Sequence, residues 1–112
     1  MDERKRRRAA NEVVFRNINE WIEDLTRDSA TVTDRMIDVV CECDDVSCGE
    51  QFPVSIEAYE RVRSDGTLFL VLHGHEDDSI EEIVERADRY WVVRKDPGPP
   101  ADLALATDPR DD

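Results

Sequence analysis

Met36-Ile37-Asp38-Val39-Val40-Cys41-Glu42-Cys43-Asp44-Asp45-Val46-Ser47-Cys48 runs from a β-branched strand straight into a turn-rich loop, and it carries every cysteine of the chain. The first part is short and rich in Val and Ile, so it reads as a strand over 35–42. Side chains alternate along a strand, which puts Cys41 and Cys43 on one side. The polar stretch 44–49 turns the chain and brings Cys48 back toward the strand end. Leu68-Phe69-Leu70-Val71-Leu72 reads as a second strand, buried on both faces, and Gly74 breaks it. His75 and His73 both leave its end. Two strand ends therefore meet where three thiols and an imidazole are available.

Three thiols with one imidazole make a complete tetrahedral ligand set for zinc. The spacing is C-x-C followed by C-x(4)-C, less diagnostic than the usual C-x(2–4)-C knuckle. Glu42, Asp44, Asp45 and Glu50 surround the thiols. Negative neighbours raise a thiol's pKa, which disfavours a nucleophilic or redox-sensing cysteine and favours a divalent cation. The bland alternative is a set of buried cysteines without metal, since Cys41 merely extends an apolar strand. A disulfide between Cys41 and Cys43 is disfavoured by extended i, i+2 geometry. His73 is a rival to His75 as the fourth ligand.

Outward from this centre, residues 3–27 read as one long amphipathic helix. Ala10, Val14, Ile18, Trp21 and Leu25 keep one face apolar, and that face is expected to pack on the chain's own sheet. Trp21 and Trp91 are expected to be core anchors. Residues 26–33 read as a polar connection. Ser55 caps a second helix at 56–63, and Gly66 suits a positive φ after it. Ser79 and Glu82 suggest a brief helical turn, followed by a hairpin whose second strand is 90–95. The whole is expected to be α+β: the long helix packed on a small mixed β-sheet, with a Cys-rich knuckle. Residues 1–95 form the single domain. Residues 96–112, opening on Asp96-Pro97-Gly98-Pro99-Pro100, read as a flexible acidic tail with at most a helical turn at 101–106.

The chain of 112 residues has a net charge of −13. Residues 2–8 carry Arg4, Lys5, Arg6, Arg7 and Arg8 against Asp2 and Glu3, a net +3 that leaves −16 on the rest. That body repels phosphate backbones and anionic headgroups, so nucleic-acid contact is confined to the basic arm and disfavoured overall. Four glycines and no glycine-rich loop argue against a nucleotide cradle. No apolar run approaches the roughly 20 residues of a membrane span, and no leader pattern opens the chain, so a cytoplasmic location is expected. Reduced thiols suit that compartment.

The chain resembles a family of small, uncharacterised actinobacterial proteins. The shared stretches are Asn11-Glu12, Phe15-Arg16, Asn19-Glu20, Cys41-Glu42-Cys43 with Cys48, residues 59–63, Phe69, Gly74-His75-Glu76, residues 90–95 and Thr107-Asp108-Pro109. The resemblance implies that Cys41, Cys43, Cys48 and His75 belong together. His73 stands where the family places a proline, which favours His75. The resulting expectation is a zinc-stapled interaction or regulatory module with a protein partner and no catalytic residues. The alternatives are a small metal-dependent or thiol enzyme at the same site, or a nucleic-acid binder through Arg4–Arg8.

Overall fold

The computed structural model describes residues 2–27 and 35–110, so most of the polar connection read at 26–33 lies outside it. The chain is α+β. Helix α1 spans Glu3–Arg27 and is followed by strands β1 (Met36–Val40) and β2 (Gln51–Ser55), helix α2 (Ile56–Arg63) and strand β3 (Leu68–Val71). Strands β4 (Glu81–Arg86) and β5 (Trp91–Lys95) and helix α3 (Pro99–Ala106) complete it. No described helix is long and apolar enough to cross a membrane.

Strands β1 and β2 pair antiparallel, with Val39 opposite Phe52 and Ile37 opposite Val54. A bond from Cys41 N–H to the Glu50 carbonyl (2.8 Å) extends the ladder one step, so residues 41–50 form the closed end of a hairpin. The other sheet has the order β3-β5-β4, also antiparallel, with a bulge in β4 between Ile83 and Glu85. The expected mixed sheet is therefore two antiparallel sheets. They are joined where Glu42 N–H donates to the Leu70 carbonyl (2.8 Å) and where Phe52 stacks on Tyr90. Val39, Phe52, Val54, Tyr59, Phe69, Leu70, Val71, Val92 and Val93 fill the core between them. Ser55 caps α2 by accepting from Ala58 N–H (3.1 Å), as its position predicts.

Helix α1 starts where Asp2 accepts from Lys5 N–H (2.8 Å), and it then packs the opposite way round from the expectation. The face turned to the sheets carries Ala9, Glu12, Arg16, Asn19 and Glu23, all buried. Val14, Ile18, Trp21 and Leu25 are 55, 37, 63 and 54 % exposed. Trp21 is thus no core anchor, while Trp91 is half-buried and stacked against His73.

Directional bonds hold the inward face. Arg16 donates to the carbonyls of Gly66 (2.7 Å) and Ala104 (2.9 Å), with its guanidinium over the Phe69 ring. The Asn19 amide donates to the Val40 carbonyl (2.9 Å) and accepts from Val40 N–H (2.7 Å), so it stands in for a neighbouring strand on the edge of β1. Lys95 reaches from β5 to Glu12, and to Glu81 at 2.6 Å. A buried polar group is tolerated when it is paired in this way and is costly otherwise.

Three further expectations are corrected. The segment from 96 is not a free tail through Arg110: Pro99 and Pro100 open α3, where proline's missing N–H costs nothing. Beyond α3, Asp108 pairs with Arg63 (2.5 Å), and Arg110 pairs with Glu20, Glu23 and Glu60. Gly66 has no positive φ; it is small because a Cβ would sit 2.6 Å from the Asp108 carboxylate. The turn before β4 is capped by Asp77, which accepts from Ser79 N–H (3.1 Å), while Glu81 accepts from Asp77 N–H (2.9 Å).

Candidate metal centre

Local geometry gathers the cysteines. Cys41 continues β1, and Cys43 follows on the same side, both buried. Asp45 then accepts from Ser47 N–H (2.9 Å), and its carbonyl accepts from Cys48 N–H (3.0 Å), which tightens the loop and folds Cys48 back. Gly49 takes φ +57° as the chain enters β2. On the other sheet, the Leu72 carbonyl accepts from His75 N–H (3.0 Å) across a tight turn. Gly74 sits third in that turn with φ +82°, the conformation that favours glycine in a type II turn. The turn swings the His75 ring over the sulfurs.

The ligand atoms of Cys41, Cys43, Cys48 and His75 all lie within 4.8 Å of one another. His75 Nδ1 is 3.6 Å from the Sγ atoms of both Cys41 and Cys48. Tetrahedral zinc with three sulfurs and one nitrogen requires about 3.7 Å between sulfurs and about 3.6 Å from sulfur to nitrogen. The donor set fits, and this Cys3His group can hold a metal ion. Leu72 N–H donates to Cys41 Sγ (3.2 Å), a bond that stabilises negative charge on the sulfur. Four protein ligands would close the coordination shell and leave no position for water or substrate.

The acidity of the thiols is set within the cluster. Cys43 is held at about 5, first by the hydrogen bond from Cys41, against burial, and with help from His75. Cys41 is pushed up by donating that bond and by burial, and Cys48 by burial. The largest effects on these thiols come from one another and from burial, not from the neighbouring carboxylates. Burial, and then the nearby Asp77 carboxylate, raise Asp44's pKa, and Asp45 caps Ser47. Glu42, wholly buried, accepts from Asn19 Nδ2 (2.7 Å) and Leu70 N–H (2.8 Å). Burial, the larger effect, nonetheless raises the Glu42 carboxyl's pKa.

His73 does not join the cluster. It is exposed, with Nε2 3.0 Å from the Ala87 carbonyl and its ring against Trp91. The basic arm forms the first turns of α1: Arg4, Arg6 and Arg7 are exposed, Lys5 is partly covered, and Arg8 pairs with Asp77 (3.0 Å). Sequence reasoning missed the parts played by Glu42 and Asn19. Strand alternation could have shown that Glu42 faces away from the sulfurs, but no pattern indicated that Asn19 lies opposite. Comparison of the chain with protein-family models, curated proteins and solved structures finds no match.

Proposed function

We propose that the chain is a zinc-stapled, non-enzymatic interaction or regulatory protein of a reducing compartment such as the cytoplasm. The metal would be structural. One observation carries this reading: three thiols and an imidazole, two of the four buried, converge as a closed set at the junction of the two sheets. Soft thiolates with one imidazole select zinc over harder ions such as magnesium or calcium. In this reading Cys41, Cys43, Cys48 and His75 bind the ion, and the ion clamps the β1–β2 hairpin to the turn after β3. Catalysis by the same metal would need an open position, which a complete set of protein ligands removes.

Metal analysis and X-ray absorption test this on purified protein. The expected result is about one zinc per chain with three sulfurs, one nitrogen and no water in its shell. Chelation, or Cys41→Ser, is expected to remove the metal and lower Tm by about 10 °C or more, the shift that a few kcal/mol produces in a domain of this size. Zinc-free protein whose Tm ignores chelator overturns the reading. A water in the shell moves it to the enzyme alternative.

A further inference from the structure

Val14, Ile18, Trp21 and Leu25 follow one another at intervals of four, three and four, one continuous line along α1. The fold does not use them: the sheets meet the opposite face of the helix. Half-buried Phe15 and Ile22 widen the line on one side, and Asn17 and Asp24 edge it on the other. This spacing is the one that two-helix coiled coils use along their seam, and here it faces outward.

We propose that this seam is a homodimer interface, in which α1 of a second copy lies antiparallel along it about a twofold axis between Ile18 and Trp21. The inference rests on the reading of the chain as an interaction module and gives that module its surface. Three observations select the occupant. Residues 28–34, which follow α1, offer only Ala30 and Val32, too little apolar surface to cover the line. The seam continues toward the N-terminus through Arg7 and Arg4, amid Lys5, Arg6 and Arg8, and ends beside Asp24. A parallel pair would set five cations against five. An antiparallel pair separates them and carries each basic arm toward the other copy's body, whose net charge is −16. Finally, four side chains at these exposures present on the order of 400 Å² per copy, within the range of an interaction patch. Two copies bring about 800 Å² of this line together, to which Phe15 and Ile22 add, against the roughly 1,200 Å² at the lower end of specific dimers.

In this arrangement Val14 faces Leu25 of the second copy, and Ile18 faces its Trp21. An isologous contact of this kind closes on itself at two copies.

Sedimentation equilibrium of the zinc-loaded full chain at about 1–100 μM tests the proposal. The wild type is expected to be a dimer. Trp21→Glu and Ile18→Glu are each expected to raise the dimer Kd by about a hundredfold or more, as loss of a central anchor does, with circular dichroism and zinc content unchanged. For orientation, Val14→Cys and Leu25→Cys chains are mixed and mildly oxidised, and their cross-links are mapped by peptide mass. A 14–25 link is expected to prevail over 14–14; the reverse overturns the antiparallel pairing. A monomeric wild type overturns the proposal. A dimer that survives Trp21→Glu overturns it in favour of another surface. A zinc-bearing monomer sinks this inference and leaves the metal reading standing, and a zinc-free dimer does the opposite.

Discussion

Toward the sheets, α1 turns Glu12, Arg16, Asn19 and Glu23; toward solvent it turns Val14, Ile18, Trp21 and Leu25. Both lines step by four, three and four, two residues out of phase, so they run down opposite sides of one helix. The inner line holds by direction. Arg16 ties the loop at Gly66 to α3, and Asn19 completes the edge of β1. These bonds tolerate one position of the helix and reject a slide by a turn. The outer line holds by area, which is indifferent to small shifts and so suits contact with a separate body. The lesson is that periodicity reports which residues share a face, and chemistry decides what that face meets.

The sharpest way to break this contrast is at Arg16. Arg16→Ala takes the Arg16 donor from the buried carbonyl of Gly66, leaves the Ala104 carbonyl only a long bond from Thr107 Oγ1 (3.4 Å), and strips one of the two cations over the Phe69 ring, the other being Lys95. The expected loss is about 3–5 kcal/mol in urea unfolding. Lysine at 16 is expected to restore little, because it cannot bond two divergent carbonyls.

A smaller effect lies in the pH dependence of the buried trio Glu12, Lys95 and Glu81. Two carboxylates share one ammonium. Burial raises the Glu81 carboxyl to about 8, and the charges on Asp77 and Asp44 act in the same direction. Between the unfolded value of about 4.5 and about 8, the folded chain therefore holds more of this proton than the unfolded chain, so stability falls as pH rises. Burial lowers Lys95 to about 7, and its opposing effect begins only above that pH. Denaturant titrations at pH 5, 6 and 7, at constant zinc loading, are expected to show declining stability with a shallower slope in Glu81→Gln. Equal slopes would remove Glu81 from the account.

The smallest expected effect is on the outer line. In monomeric protein at low concentration, Trp21→Ser is expected to change stability by less than about 0.5 kcal/mol, as a surface residue does. A loss comparable to that at Arg16 would mean that the outer line packs within its own chain.

Much of this was legible in advance. Short runs with one dominant period gave α2 with its Ser55 cap, β3, and the β4–β5 hairpin. The Cys and His positions gave the cluster, because strand alternation and a short loop leave thiols few places to go. The facing of α1 was not legible. Its polar line has the same rhythm as its apolar one, and what distinguishes them is whether acceptors such as the Gly66 and Ala104 carbonyls lie opposite. Those come from residues about 50 and 88 positions away. The packing of α3 was hidden for a related reason. Pro99-Pro100 resembles a breaker, and Ala104, small enough to sit beneath Arg16, gives little signal as a core residue.

Strand alternation at 41–43 has one more consequence. Cys41 and Cys43 look to one side and Glu42 to the other, where its carboxylate meets Asn19 of α1 and Leu70 of β3. Three consecutive residues thus serve as the pivot of a lever. A displacement of the thiols would be passed through this short span to the carboxylate on the far side, which accepts from Asn19 in the middle of α1. The knuckle and the long helix are thus tied together through Glu42 and through the Asp44 carbonyl, which accepts from Asn11 Nδ2 (3.1 Å).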